Sequence, residues 1–273
     1  MSDEVPRPPS AARAALGGYL QISARGCHRL RSVRFTAPAL IGVQAGRKRL
    51  RRGPERIEFG AGAWFAVPAG VVLDIENLPP ADGPYRALCL AFDPALLRAS
   101  AVAARAAPPP WQALRTEPAL LQAVEHLHAG LAQPQPLPER LLRHRFEEVW
   151  LALAEQGFVA GLQAAPTTAE RVRALLAGAP SRLWRSAEVA ARLALSEATL
   201  RRRLAEEDTG LRELLGDLRL GQALAALQST QQPVARIAYD AGYRSASRFA
   251  AAFRRRYGVA PSTIRGDERG PHA

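Results

Sequence analysis

Arg201 and Arg202 stand side by side in a stretch, Glu197 to Glu207, where Leu200 and Leu204 lie four apart and so share one helix face. With the leucines turned to a core, Ala198, Arg201, Arg202 and Ala205 fall on the outward side. A guanidinium there can donate two hydrogen bonds to guanine, worth about 1–3 kcal/mol of discrimination between bases. The pattern recurs 49 residues on, with Phe249 and Phe253 inward and Ser247, Ala250, Ala251 and Arg254 outward. Three of these four cannot form a bidentate pair. The first set is therefore expected to supply most hydrogen-bonded base reading. The second is expected to add methyl contacts, Ser247, and phosphate anchoring by Arg248, Arg254 and Arg255. The bland alternative for any one arginine is a phosphate clamp or a solvated charge.

These side chains need a scaffold, and the sequence writes one twice. Ala190, Ala194, Ser196, Leu200, Leu204 and Gly210 are matched, 48 or 49 residues later, by Ala238, Gly242, Ser245, Phe249, Phe253 and Gly258. Each copy, 186–207 and 233–257, reads as two short helices joined by a tight turn, with Ser196 and Ser245 as N-caps of the second helix. Ser186 is the expected N-cap of the helix running to Leu193. Ala194 occupies a turn position that usually takes glycine, at a cost of about 1 kcal/mol if its φ is positive. Leu211 to Gln228 reads as a long connecting helix that fixes the distance between copies. Pro233 suits the first turn of the helix ending at Ala241. Two helix-turn-helix units in a basic segment point to double-stranded DNA as partner.

Charge agrees. The chain of 273 residues carries a formal net charge of +12, and Lys48 is its one lysine. Residues 181–265 hold 15 arginines against 8 acids, whereas residues 1–165 hold 19 basic residues against 14 acids. The repeat is thus the more basic part per residue, as a polyanion partner favours. The arginine bias taken alone fits codon composition equally well. Cys27 and Cys89 are far apart, so no disulfide framework follows and a reducing compartment is expected. No apolar run approaches the roughly 18 residues of a membrane helix. A soluble, cytoplasmic protein is expected, with no membrane partner.

The first half has a different texture. Residues 1–15 read as a disordered tail. Short β-like runs follow at Leu40–Val43, Arg47–Arg51, Arg56–Phe59, Trp64–Val67, Val71–Ile75 and Tyr85–Phe92, separated by glycine and proline turns. This spacing predicts a sandwich or jelly roll over 16–100. Arg47, Lys48, Arg49, Arg51 and Arg52 lie on one strand pair, where alternate residues face opposite sides. Lys48 could point inward and bind an anionic effector. Alternatively all five are solvated edge charges that guard against strand pairing. Residues 101–163 then read as a helical connector. Its helices carry seams at Leu120, Val124, Leu127 and Leu131, and at Leu142, Phe146, Val149 and Leu153. Pro134, Pro136 and Pro138 separate them. The second seam either packs within the chain or dimerises it. His126 and His128 do not share a helix face and read as surface residues, not metal ligands. Residues 164–169 are the expected linker, 170–265 the DNA-binding domain, and 266–273 a tail.

Two resemblances sharpen this reading. Gly62, Pro68-Ala69-Gly70, Leu73 and Asn77 resemble the second cupin motif. Leu73 stands where metal-binding cupins have a histidine ligand. Aligning Gly46 with the first motif puts Ala39 where they have a glutamate. The fold signal survives while the metal chemistry does not. Ile237-Ala238, Gly242-Tyr243, Ser245, Phe249, Phe253-Arg254-Arg255, Tyr257-Gly258 and Pro261 strongly resemble the DNA-binding domain of the AraC/XylS family of bacterial transcription regulators. Ala194, Ala260 and Ile264 depart from the family's glycine, serine or threonine, and aromatic. The resemblance implies two recognition helices in successive major grooves, about 34 Å apart, with Arg201 and Arg202 at positions where members contact DNA. An N-terminal cupin-like sensor is common in the family.

The expected architecture is α+β and multidomain: an N-terminal cupin-like β jelly roll with a helical dimerisation segment, then an all-α double helix-turn-helix domain. The expected function is sequence-specific transcription regulation, activation rather than repression. A small effector on a metal-free sensor would exert control, with RNA polymerase and a second copy of the chain as further partners. No cofactor and no enzymatic activity are expected. The rivals are a ligand-independent regulator whose first domain only dimerises, a cupin enzyme with a DNA-binding tail, and an alkyltransferase fusion. The last needs a reactive cysteine, and usually a zinc–cysteine cluster, that two isolated cysteines do not provide.

Overall fold

The computed structural model describes residues 10–13, 15–98, 108–133, 137–163 and 165–265. Among the described residues, ten strands and ten helices are arranged in two parts. The strands are β1 (Ser10–Arg13), β2 (Gly17–Ala24), β3 (His28–Arg34), β4 (Ala39–Ala45), β5 (Arg47–Arg52), β6 (Glu55–Gly60), β7 (Trp64–Val67), β8 (Val72–Leu78), β9 (Tyr85–Phe92) and β10 (Gln112–Leu114). They form a six-stranded sheet ordered β1-β2-β9-β4-β7-β10 and a four-stranded sheet ordered β3-β8-β5-β6, antiparallel throughout. All six expected strands are present. β1, β2, β3 and β10 were not anticipated, and β1 lies inside the stretch read as a disordered tail. Residues 1–9 and 266–273 fall outside the described residues, as do 101–107 of the expected helical connector and Pro134 and Pro136 between its two helices.

Burial explains why some strands were easier to read. β8 alternates strictly, with Leu73, Ile75 and Asn77 inward and Asp74 and Glu76 outward, because one of its faces meets solvent. β4 is buried continuously from Ala39 to Val43. Its sheet is covered on both faces, by the four-stranded sheet and by α2 (Pro118–Ala132) and α3 (Glu139–Glu155). Leu73 and Ala39, the two cupin ligand positions, are apolar core residues at 1% and 3% exposure.

Three expectations about this half need correction. Leu142, Phe146, Val149 and Leu153, the candidate dimer seam, are all buried within the chain's own core beside α2 and the outer face of the larger sheet. They are spent on intrachain packing, and the apolar residues α3 leaves exposed are Leu141 and Leu151. His128 is not a surface residue: it is buried edge-on against the Tyr19 ring. β5 is not an edge strand, since it lies between β8 and β6. Its arginines are held in cross-strand ion pairs, Arg47 and Arg49 to Glu58, Arg49 to Glu76 and Arg51 to Asp74, at 2.6–2.9 Å. Lys48 points inward and is buried.

The helical half comprises α4 (Thr168–Ala177), α5 (Ser186–Arg192), α6 (Glu197–Glu206), α7 (Leu211–Ser229), α8 (Val234–Asp240), α9 (Ala246–Tyr257) and α10 (Pro261–Arg265); α1 is the short helix Pro94–Arg98 after β9. α4 opens inside the expected linker, at a capping box made by Thr167 and Glu170. Glu207, which follows α6, accepts from the amides of Thr168 and Ala169 at 2.7 and 2.9 Å and so ties α6 to the start of α4. Val172, Leu176, Val189, Leu200, Leu204 and Leu214 form the first helical core. Leu220, Leu224, Leu227, Ile237, Phe249, Phe253 and Tyr257 form the second, which is continuous with the barrel core. α7 therefore contributes its first turns to one core and its remaining length to the other.

Candidate nucleic-acid interface

Both turns are built alike. The Leu195 amide donates to the Ala190 carbonyl at 2.9 Å, and the Tyr243 amide donates to the Ala238 carbonyl at 3.0 Å. Ala190 and Ala238 are each 1% exposed, because only a small side chain lets the two helices close at that point. The turn residues Ala194 and Gly242 take φ of 55° and 81°, so the alanine sits in left-handed backbone that favours glycine. Gly242 meets a second demand. A Cβ there would come within 3.0 Å of Ser181 and 3.1 Å of Arg219, whereas Ala194 is exposed.

The second helix of each unit is capped and anchored as its sequence requires. Ser196 accepts from the Thr199 amide at 3.1 Å, and Ser245 from the Arg248 amide at 3.4 Å. Ser186 makes no such cap: α5 starts with it, and Arg185 precedes it. Pro233 likewise stands just before α8 rather than in its first turn. Leu200 and Leu204 on α6, and Phe249, Phe253 and Tyr257 on α9, are buried. Ala198, Arg201, Arg202, Ser247, Ala251, Arg248, Arg254 and Arg255 are exposed, and Ala250 is half-buried. Arg202 is paired with Glu206 at 3.8 Å, one turn along, while Arg201 has no ion pair or hydrogen bond among the described residues. Beside α9, Ala250, Ala251, Arg254 and Ala260 line a recess of about 240 Å³.

The third arginine of the run does something else. Arg256 donates from Nε to Asp217 on α7 at 2.9 Å and from Nη1 to the Ser32 carbonyl of β3 at 2.5 Å. Ser32 has φ of 52°, its amide is held by Asp74 at 3.0 Å, and β3 shifts register there. Arg34 reaches Asp217 at 3.8 Å, and a Cβ at Gly258 would come within 3.0 Å of the Arg31 side chain. The sequence signal was available: Arg256 follows Phe249 by seven residues and Phe253 by three, which puts it at the margin of the buried face. This docking engages the C-terminal end of α9 and leaves its outward residues exposed.

In the barrel, Lys48 Nζ donates to Asn77 Oδ1 at 2.7 Å and lies 5.2 Å from the Tyr85 ring centre. Burial pulls the lysine down to about 8 and pushes the neighbouring Cys89 thiol up to about 11. No group of three or more histidine, cysteine or carboxylate side chains among the described residues is placed to hold a metal ion. No described helix is long and apolar enough to cross a membrane.

Comparison with known proteins adds family relations to this geometry. A profile of the AraC-type transcriptional regulator N-terminus matches residues 20–149, and one of a helix-turn-helix domain matches residues 189–267. An uncharacterised HTH-type transcriptional regulator of Mycobacterium tuberculosis is 41% identical over 100 residues, which is 34% of this chain and 29% of that protein. The urease operon transcriptional activator of Escherichia coli is 35% identical over 91 residues, 33% of this chain and 31% of its own. The matched region thus spans about a third of these relatives' length. Across nearly the whole chain the fold is similar to that of ToxT from Vibrio cholerae, with a TM-score of 0.61, 12% identity, and coverage of 93% of this chain and 100% of that one.

Proposed function

Because this chain belongs to the AraC family of transcription regulators, we propose that it binds promoter DNA through α6 and α9 and activates transcription by contact with RNA polymerase, under control of a small effector held in the barrel. The observation that carries the DNA reading is the pair of capped helices whose arginine-bearing faces stay exposed although the second unit is docked on the barrel. Base reading falls chiefly to Arg201, which is free to reach into a major groove, and to Arg202 once its weak exposed pairing with Glu206 exchanges for a base. Ala198, Ser247, Ala250 and Ala251 contribute van der Waals and hydroxyl contacts. Arg248, Arg254 and Arg255 supply phosphate contacts. Activation is favoured over repression by relatives that are themselves named activators. The effector role centres on Lys48, a buried cation without a carboxylate partner among the described residues.

The test is selection of bound sequences from a random duplex library by the full chain and by Arg201→Ala. Loss of preference at one or two positions supports base reading by Arg201. Uniformly weaker binding with the same preferences assigns Arg201 to phosphate and removes its specifying role. Absence of any selected sequence with the unaltered chain would refute the DNA-binding assignment.

A further inference from the structure

Register places three polar side chains in one inward row of the four-stranded sheet. His28 on β3 pairs with Asn77 on β8, and Asn77 pairs with Lys48 on β5. Tyr85, on the facing sheet, lies beside Lys48. His28, Lys48 and Asn77 are 3%, 3% and 0% exposed, and Tyr85 is 0% exposed. Such a cluster in a barrel core normally satisfies itself, and this one does not. His28 Nε2, Asn77 Nδ2 and the Tyr85 hydroxyl have no hydrogen-bond partner among the described residues. Asp74 and Glu76, the carboxylates on the same strand as Asn77, face outward and are taken by arginines.

The donor and acceptor pattern is specific. Lys48 gives one proton to Asn77 Oδ1, which orients the amide and leaves Nδ2 as a donor. His28 Nδ1 lies 3.1 Å from the Gly26 carbonyl oxygen. A carbonyl can only accept, so the ring proton sits on Nδ1 and Nε2 presents a bare lone pair. Lys48 and Asn77 therefore need acceptor oxygens and His28 needs a donor, while the Tyr85 hydroxyl can donate or accept. A neutral polyol would meet the hydrogen bonds and leave the lysine's charge uncompensated. A simple carboxylate would answer the charge and leave His28 unmet. The side chains packed around the cluster, Leu50, Phe59, Phe65 and Ile75, are apolar and offer none of the missing hydrogen bonds.

We propose that the barrel binds a small α-hydroxycarboxylate, its carboxylate held by Lys48, Asn77 and Tyr85 and its hydroxyl donating to His28 Nε2. This deepens the effector reading above and rests on it for its regulatory meaning. The probes are lactate, propionate and lactamide, titrated calorimetrically into the full chain at constant ionic strength. Lactate is expected to bind saturably, propionate at least tenfold more weakly, and lactamide not at all. Lys48→Met should abolish lactate binding, with its own cooperative melt showing that the barrel is folded. His28→Phe should bring lactate and propionate to similar affinities. Lactate behaving like added chloride, or binding Lys48→Met unchanged, overturns the inference. Binding of the neutral polyol erythritol to both the native chain and Lys48→Met also overturns it, while keeping an effector site. Lactate binding that leaves DNA affinity unaltered upholds the site and refutes only its regulatory use.

Discussion

Lys48→Met in carboxylate-free buffer should make the protein more stable at neutral pH, although it deletes a hydrogen bond. The lysine's ordinary value of 10.5 falls to about 8 because burial removes the ammonium from water. At about 1.36 kcal/mol per unit, that fall corresponds to a charge-burial cost of about 3 kcal/mol. Below pH 8 the lysine is protonated in both states and the folded chain bears the whole cost. Between pH 8 and 10.5 the unfolded chain holds more protons, so stability rises with pH. Above 10.5 the cost is gone. Methionine has similar length and no charge. Its gain is reduced by about 1 kcal/mol for the stranded Asn77 carbonyl, which leaves the variant about 2 kcal/mol more stable at pH 7. That advantage should shrink through pH 8–10.5. Of the other titratable groups facing Lys48, His28 from β3 and Cys89 from β9 each lose its coulombic influence in the variant, while Cys89, pushed up to about 11, and Tyr85, pushed up by burial, stay largely protonated over this range. Urea unfolding of both proteins at half-unit steps from pH 7 to 10.5 measures it. A variant less stable at pH 7, or a difference that does not move with pH, refutes the claim that Lys48 is a buried, uncompensated cation.

Other outcomes follow from particular contacts. Ala194→Gly should raise stability by about 1 kcal/mol by relieving the left-handed turn, seen as a higher Tm; an unchanged or lower Tm contradicts it. Arg256→Ala should cost about 1.5–3 kcal/mol, since it removes charged hydrogen bonds to Asp217 and to the barrel. Hydrogen exchange should then show faster exchange at α9 and at the β3 bulge, and unchanged protection would show that the contact holds nothing. If the recess at Ala250, Ala251 and Ala260 receives a thymine methyl, replacing the contacted thymine by deoxyuridine should weaken binding by about 0.8 kcal/mol. Equal affinities for the two duplexes in a fluorescence titration would exclude that contact.

The sequence was most readable where a segment has one wet face. The second helix-turn-helix could be placed nearly to the residue because Phe249 and Phe253 repeat at helical spacing and a serine caps the helix ahead of them. β8 was readable because polar and apolar residues alternate. β1 was missed because Ser-Ala-Ala-Arg has no strand signature of its own, and its pairing with β2 supplies the order. β3 was obscured because the bulge at Ser32 breaks its alternation. The α3 seam could not be assigned from spacing, since the same 4,3,4 pattern serves a partner helix of this chain or of another. Structure decides for the chain itself, where Phe146 and Leu153 are wholly buried. Lys48 could be suspected but not interpreted, because its neighbours His28, Asn77 and Tyr85 come from three other strands.

The shared helix α7 has a consequence for the proposed DNA reading. Its 19 residues rise about 1.5 Å each, and its two ends are embedded in separate cores. The chain thus carries its own ruler, cut to one length. If α6 and α9 read neighbouring half-sites as proposed, a base pair inserted between them would rotate one reading surface out of phase, and the duplex rather than the protein would have to twist to restore contact.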